Sequence, residues 1–422
     1  MANARRTAVN ALLKVNTDKA YSNIALNNIL KTSELSSEDR SLATALFYGV
    51  LDRRITLDYV LDSLTKIPFK KVNFFTAEVM RVGLYQIMYM DKIPNSAAVD
   101  EAVKMIKKSP EHRNSGFVNA VLREATRRDN LLPEGNSVDA LSVRYSCPEW
   151  IVGELVRDYG TDTAVDFLAE TLKVPPLDIR VNTLKTTTEK LCTELRGSGA
   201  ECKQYDDIDA LQILKGVNIE NNACFKEGLF HVQDSSSHRA ALVLNLKPDE
   251  RVLDMCAAPG GKTFTMAQIM QNKGEIVSCD LYPHKIKLIE SGANRLGLRI
   301  IKPIVSDATK YNVELGLFDA VLCDVPCSGL GIIRRKPDIK QKPETDFTEL
   351  QGIQQSILNN AVNYLKDGGR IVYSTCTVRK AENEGQIEQF LNTHPSFKLE
   401  YMKTFMPNEC GGDGFFVALL KR

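Results

Sequence analysis

The apolar positions of the first 130 residues recur at helical spacing and predict an all-α region. Ala8, Leu12 and Val15 share one helix face. Leu42, Ala45, Leu46 and Gly49 share another, in a helix that opens after Ser36-Ser37-Glu38-Asp39, a capping sequence. Further stripes over residues 55–64, 75–89, 98–106 and 117–125 are separated by Pro68, Pro94 and Pro110. Met80, Met88 and Phe117 fall on these stripes and are expected in the core. Arg5, Arg6, Arg53, Arg54, Arg123, Arg127 and Arg128 are expected at the surface of the resulting bundle. Nothing in the bundle carries chemistry, so binding is its expected task.

The pattern changes after a linker at residues 130–136, which contains Leu-Leu-Pro-Glu-Gly. A helix carrying Trp150, Ile151, Leu155 and Val156 follows. After Pro175-Pro176 come a strand over residues 178–182, a helix over 187–196, a turn at Gly197 and Gly199, and a second short strand. That order predicts a small α/β subdomain. Leu229-Phe-His-Val-Gln-Asp-Ser-Ser-Ser237 leads into another helix. Short apolar runs then end at Leu253, Cys279, Val305, Cys323 and Tyr373, with a closing one over 415–420. Helical patterns stand between them; the longest, with Leu350, Ile353, Ile357, Leu358, Ala361, Val362 and Leu365 on one face, is expected to end before Gly368. Strands alternating with helices predict a doubly wound, mostly parallel sheet. The expected domains are residues 1–135, 136–228 and 229–422.

The first run of this sheet leads into the stretch Val252–Thr263, VLDMCAAPGGKT. A strand, a glycine turn and a helix form the opening unit of a doubly wound sheet, whose ligand sits beyond the carboxyl ends of the strands. Glycines let a ligand approach the backbone, and the helix start offers free N–H groups. A phosphate-binding P-loop needs a glycine where Cys256 stands, and the dinucleotide pattern G-x-G-x-x-G is absent. A loop for S-adenosylmethionine fits better. Asp280 ends the second run, 19 residues beyond Gly261, where its carboxylate would accept both ribose hydroxyls. Asp307, just past the third run, would meet the adenine amino group. A tight packing turn with no ligand is the plain alternative.

Composition narrows the frame. With 43% hydrophobic and 25% charged residues, this is ordinary globular composition. No apolar run reaches membrane-span length, and none near the N-terminus resembles a signal peptide. Ten cysteines without a C-x-x-C pair suggest reduced thiols in a cytoplasmic protein, and no zinc site or disulfide framework. The five histidines, at positions 112, 231, 238, 284 and 394, have no metal or triad spacing, so no metal is expected. The net charge of +1 hides 20 basic against 15 acidic residues in positions 1–135, a basic surface suited to nucleic acid or simply a solvated helical face.

Two cysteines stand just beyond adjacent strand ends, on the same edge as the glycine loop: Cys327 in Asp324-Val-Pro-Cys-Ser-Gly329, and Cys376 in Ser374-Thr-Cys-Thr377. A buried cysteine is usually inert packing, the expected role of Cys192 and Cys224. A thiol at the crevice has a chemical reason. C5 of a pyrimidine is a poor nucleophile until a thiolate adds to C6 and generates an enamine. A carboxyl such as Asp324 would assist by hydrogen bonding at N3. A base held in a helical stack hides both carbons, so the substrate must be single-stranded or flipped.

Asp254–Thr263, Asp324-Val-Pro-Cys327 and Ser374-Thr-Cys376 resemble the motifs of RNA cytosine-5 methyltransferases of the Nol1/Nop2/Sun family. Gly116-Phe-Val-Asn-Ala-Val-Leu-Arg123 is similar to the NusB antitermination-protein domain, and Tyr145–Trp150 and Arg180–Leu184 resemble the family's intervening segments. The resemblance implies a multidomain protein: an all-α NusB-like bundle, a small α/β subdomain and a Rossmann-like methyltransferase domain dependent on S-adenosylmethionine. It implies Cys376 as the nucleophile and Cys327 as the residue that promotes product release. It also implies a cofactor set of Cys256, Ala257, Ala258, Pro259, Gly260, Gly261, Lys262, Asp280, Asp307 and Asp324. Lys262 and Asp324 are expected to serve catalysis as well. The implied partner is 16S ribosomal RNA. Thr377 stands where many relatives have serine, a small hydroxyl in either case. Two other readings are an exocyclic-amine methyltransferase, which needs no thiol, and a non-catalytic RNA-binding scaffold.

Overall fold

The structure, a computed structural model, describes residues 3–18, 22–216 and 218–422. The chain divides into two compact units. One comprises Met1–Leu172 with Lys336–Lys342, the other Lys173–Arg335 with Pro343–Arg422.

The first unit is helical, as the apolar spacing predicts. Helices Ala4–Asp18, Ser37–Asp52, Arg54–Leu64, Phe74–Tyr89, Asn95–Lys107 and Ser115–Ala125 enclose a core that includes Leu12, Leu46, Phe47, Leu57, Met80 and Leu84. Met88 and Phe117 pack against that core only partly buried. Ser36 caps its helix as expected, its Oγ accepting the Asp39 N–H at 3.1 Å. Three more helices follow, Val138–Tyr145, Glu149–Tyr159 and Thr161–Glu170; the sequence pattern predicts the middle one.

Of the arginines expected at the surface, Arg123, Arg127 and Arg128 are exposed. Arg54 is not. Glu78 is fully buried and draws in Arg54 (3.3 Å) and Arg81 (2.5 Å), because a carboxylate removed from water must be paired. The segment Lys336–Lys342 belongs to this unit through side-chain bonds. Asp338 accepts from Ser22 Oγ at 2.6 Å, and Lys340 Nζ donates to Asp52 Oδ1 at 2.7 Å.

The second unit holds two sheets. The smaller is antiparallel, built from β1 (Leu177–Val181), β2 (Glu201–Gln204), β3 (Ala210–Lys215) and β4 (Phe230–Val232) in the order β2-β3-β1-β4. Helix Thr188–Gly197 covers it, and Ile179, Leu191, Leu195 and Phe230 form its core. β3 and β4 are not evident in the sequence pattern, since β4 is three residues long and alternates too briefly to read.

The larger sheet comprises β5 (Arg251–Asp254), β6 (Glu275–Asp280), β7 (Ile301–Val305), β8 (Phe318–Asp324), β9 (Leu365–Thr375), β10 (Lys398–Phe405) and β11 (Phe415–Lys421). Its order is β10-β11-β9-β8-β5-β6-β7. β7, β6, β5, β8 and β9 run parallel, while β11 pairs antiparallel with both β9 and β10. The chain winds outward from β5 through β6 and β7, then resumes on the other side at β8. The topological switch point therefore lies between β5 and β8, where a doubly wound sheet opens its ligand crevice.

Gly368 does not end the long helix, which stops at Ala361. It lies inside β9 with a φ of 74°, where the pairing jumps from Phe318–Leu365 to Ala320–Arg370. β10 is likewise silent in the sequence pattern. It is an edge strand whose residues are mostly exposed, so it has no buried face to impose alternation.

One close approach positions the site. The turn after β8 crosses the chain leading into β11. Gly331 N–H donates to the Cys376 carbonyl at 3.1 Å, and Gly414 N–H donates to the Gly331 carbonyl at 2.9 Å. A Cβ on Gly331 would stand 1.9 Å from the Gly414 carbonyl oxygen, so neither backbone has room to yield. Gly331→Ala should cost about 2 kcal/mol or more. In calorimetry that is a fall of roughly 4–8 °C in the transition of this unit.

Candidate active site

The glycine loop leaves β5 at Asp254 and enters helix Gly261–Ile269. The Ala258–Pro259 peptide is cis, and Gly260 has a φ of 110°. That conformation favours glycine, and a Cβ there would also meet the Phe264 ring at 2.4 Å. Asp254 is buried. Thr263 Oγ1 donates to its Oδ2 at 2.7 Å, and its buried Oδ1 has no hydrogen-bond partner. Burial is the main reason its carboxyl is pushed up to about 7.

Two cavities flank this loop, and Cys256, Ala258, Asp324 and Val325 line both. The one towards β6 and β7 has a volume of about 400 Å³ and is walled by Met255, Tyr282, Ile353 and the carboxylates Asp280 and Asp307. Asp280 ends β6, and its Oδ1 accepts the Tyr282 N–H at 3.1 Å. Asp307 engages Thr309 Oγ1 at 2.7 Å and Lys310 Nζ at 3.3 Å. The Thr309 hydrogen bonds hold its carboxyl below the usual range.

The second cavity, about 280 Å³, is lined by Ala257, Pro259, Gly261, Lys262, Asp324 and Cys376, along with residues of the segment before helix Ser235–Leu242. Lys262 is nearly buried. Its Nζ donates to Asp324 Oδ2 at 2.8 Å and lies 4.7 Å from the centre of the Phe415 ring. Ser374 Oγ donates to Asp324 Oδ1 at 2.8 Å, so one carboxylate ties helix Gly261–Ile269 to the ends of β8 and β9.

Cys327 and Cys376 come together. Their sulfurs are 3.4 Å apart. The hydrogen bond with Cys376, and then burial, pushes the Cys327 thiol well above its ordinary range. Burial likewise raises the thiol of Cys256, which fits a wall residue rather than a nucleophile. Among the described residues, no group of acidic, histidine and cysteine side chains is arranged to hold a metal ion.

Every residue expected from the sequence at the site therefore lies around these two cavities, with Gly260 shaping the loop from beneath and Cys327 reaching it through Cys376. The lining fits S-adenosylmethionine. An apolar-walled cavity carrying Asp280 adjoins a glycine turn, and the neighbouring cavity is lined by Asp254, whose buried Oδ1 is unpaired.

Some residues escaped the sequence reading. Gln233, Asp234 and Asp413 also line the second cavity. Asp234 caps helix Ser235–Leu242 and accepts from Arg335 at 3.1 Å, while Asp413 pairs with Arg334 at 2.8 Å and with Arg335. The signal for Asp413 was its place among Gly411, Gly412 and Gly414, a run that marks close backbone approach. Glu382 and Asn383, fully buried behind the thiols, gave no signal, because a charged run ordinarily reads as a solvated face.

Residues 241–421 match the family described as 16S rRNA methyltransferase RsmB/F, residues 2–127 the NusB family, and residues 147–220 the ferredoxin-like domain of RsmF/B-like methyltransferases. The probable ribosomal RNA small subunit methyltransferase B of Bacillus subtilis is 38% identical, over 99% of this chain and 98% of its own length. Ribosomal RNA small subunit methyltransferase B of Proteus mirabilis is 31% identical over 92% of each chain. Among solved structures, PH0851 superposes with a TM-score of 0.80 at 28% identity, covering 99% of this chain and 98% of that one. A methyltransferase homologue from Pyrococcus horikoshii gives 0.61 at 26% identity, covering 68% and 100%. With its glycine loop, its paired thiols and relatives that span its whole length, the chain belongs to the RsmB/F family of S-adenosylmethionine-dependent rRNA methyltransferases.

Proposed function

We propose that this enzyme methylates C5 of a cytosine in 16S ribosomal RNA through a transient covalent bond between Cys376 and C6 of the base. The observation that carries this reading is the pair of thiols 3.4 Å apart beside Asp324 and Lys262. A methyltransferase acting on an exocyclic amine has no use for that pair, and a non-catalytic scaffold has no use for any of it.

S-adenosylmethionine, when bound, supplies an electrophilic methyl group. Asp280 would accept its ribose hydroxyls and Asp307 would border its adenine. Residues 256–262 would surround the methionine end. The cytosine enters the second cavity, unstacked from its neighbours. Cys376, as thiolate, adds to C6. Cys327 remains a thiol and donates to the Cys376 sulfur, which favours the charged form of its neighbour. The proton required at N3 passes from the Lys262 ammonium through Asp324, 2.8 Å away. Addition leaves the electron pair at C5, where it would take the methyl group as the cofactor's sulfonium sulfur keeps the S–CH3 bonding pair. A base then removes the C5 proton, the C5–C6 double bond re-forms as Cys376 leaves as thiolate, and the N3 proton returns through Asp324 to Lys262. In this reading Cys327 assists that last step. The exposed arginines of the helical unit, Arg123, Arg127 and Arg128, offer phosphate contacts to the flanking RNA.

Cys376→Ala should lower methyl transfer by on the order of 10⁴-fold or more. Cys327→Ala should trap an RNase-sensitive RNA–protein adduct on a denaturing gel. Transfer by Cys376→Ala would overturn the assigned nucleophile. Asp280→Ala should weaken S-adenosylmethionine binding in calorimetry by about 10-fold or more, the loss of hydrogen bonds to a charged acceptor. An unchanged affinity would remove Asp280 from the cofactor site.

A further inference from the structure

Behind the two thiols lies a polar network that the reaction above does not use. Glu382 is fully buried, at the end of a single helical turn, Lys380–Glu382. Its Oε2 accepts the backbone N–H of Ser328 at 2.9 Å and Gln354 Nε2 at 2.8 Å. The same Gln354 nitrogen donates to the Pro326 carbonyl at 2.9 Å. Residues on both sides of Cys327 are thus held by one carboxylate and its amide partner.

The other cysteine is held from the next residue along. Asn383 Oδ1 accepts from Thr375 Oγ1 at 2.7 Å, and its Nδ2 donates to the Thr377 carbonyl at 3.0 Å. Ser328 Oγ and Thr377 Oγ1, each beside a cysteine, join the two loops at 2.8 Å. The Tyr373 hydroxyl donates to the Glu382 carbonyl at 2.6 Å, which fixes the dipeptide to β9.

We infer that Glu382 is a positioning residue for methyl transfer: with Asn383 it holds the Cys327 and Cys376 loops face to face, and its carboxylate makes Cys327 the donor of the sulfur pair. This rests on the cysteine roles proposed above. The geometry supplies the first part. A buried carboxylate that accepts a backbone N–H from one cysteine loop, on a dipeptide bonded to both flanks of the other, fixes the sulfur separation. The charge supplies the second. The groups facing Cys327 are Cys376, Glu382 and Tyr373, with Arg379 against Glu382 at 3.6 Å. Glu382 adds to the hydrogen bond and burial that already raise the Cys327 thiol. A thiol held protonated serves as donor to Cys376 and does not compete with it for C6.

The test compares full-length wild type, Glu382→Gln and Gln354→Met. Two quantities are read: the kinetics of methyl transfer to 16S RNA, and the pH dependence of alkylation at each cysteine, followed by peptide mass spectrometry with iodoacetamide. Glu382→Gln should lower kcat at least 10-fold with KM for RNA unchanged. It should also move the Cys327 alkylation midpoint to lower pH, since a like charge has been removed. Gln354→Met should lower kcat while leaving that midpoint in place, because the charge remains. A merely structural role would lower the melting temperature without moving the midpoint. Wild-type kcat and an unmoved midpoint in Glu382→Gln would overturn the inference. If Glu382→Gln fails to fold, a wild-type kcat in Gln354→Met would overturn the positioning role. Transfer by Cys376→Ala would instead fail the underlying mechanism, so the two failures are distinguishable.

Discussion

The parallel pairing of β8 with β9 is the constraint on which the site depends. Its register sets Asp324 opposite Ser374, and the two side chains hydrogen-bond across the strand ends. From that pair the chain has three residues to reach Cys327 on one side and two to reach Cys376 on the other. A slip of one residue would turn every side chain of the strand to the opposite face. Lys262 would lose Asp324, and the sulfurs could not meet. Both strands are buried, Ala320, Val321, Leu322 and Cys323 against Ile371, Val372 and Tyr373, so hydrophobic packing pins the register that the chemistry needs.

The switch point between β5 and β8 extends this logic to the cofactor. Loops after β5 and β8 face each other there without an intervening strand. The same edge therefore carries a turn built for close backbone approach and a turn bearing a thiol. Asp324 lines both cavities and bonds to Lys262, so it joins the two sides of the crevice. Polar groups buried at such a place retain their shape through mutual hydrogen bonds.

Sequence made the catalytic edge legible because its signals are local. VLDMCAAPGGKT is a strand, a turn and a helix in one stretch, and each cysteine sits just beyond an apolar run. The helical unit was equally plain, since its stripes repeat over many turns. What stayed hidden depends on contacts far apart in the chain. Glu78 reads as a surface residue until Arg54 and Arg81 are seen closing on it. Glu382 lies in Lys380-Ala-Glu-Asn-Glu384, charged enough to pass for a solvated turn, and is buried only because both cysteine loops fold over it. β10 is mostly exposed and β4 is only three residues long, so neither shows a readable periodicity.

The membership of Lys336–Lys342 in the helical unit has a consequence for how the protein is made. Synthesis runs from the N-terminus, and domains commonly fold as they emerge from the ribosome. Here the helices to Leu172 are complete long before the segment that supplies Asp338 to Ser22 and Lys340 to Asp52. Residues 173–335, including the glycine loop and the Cys327 turn, must be made in between. The hydrophobic core of the helical unit draws on residues 8–132 alone, so the segment docks late onto a unit whose core is already supplied. Its completion becomes a late event in biogenesis, and a nascent chain stopped before residue 336 carries a helical unit with that seat unfilled.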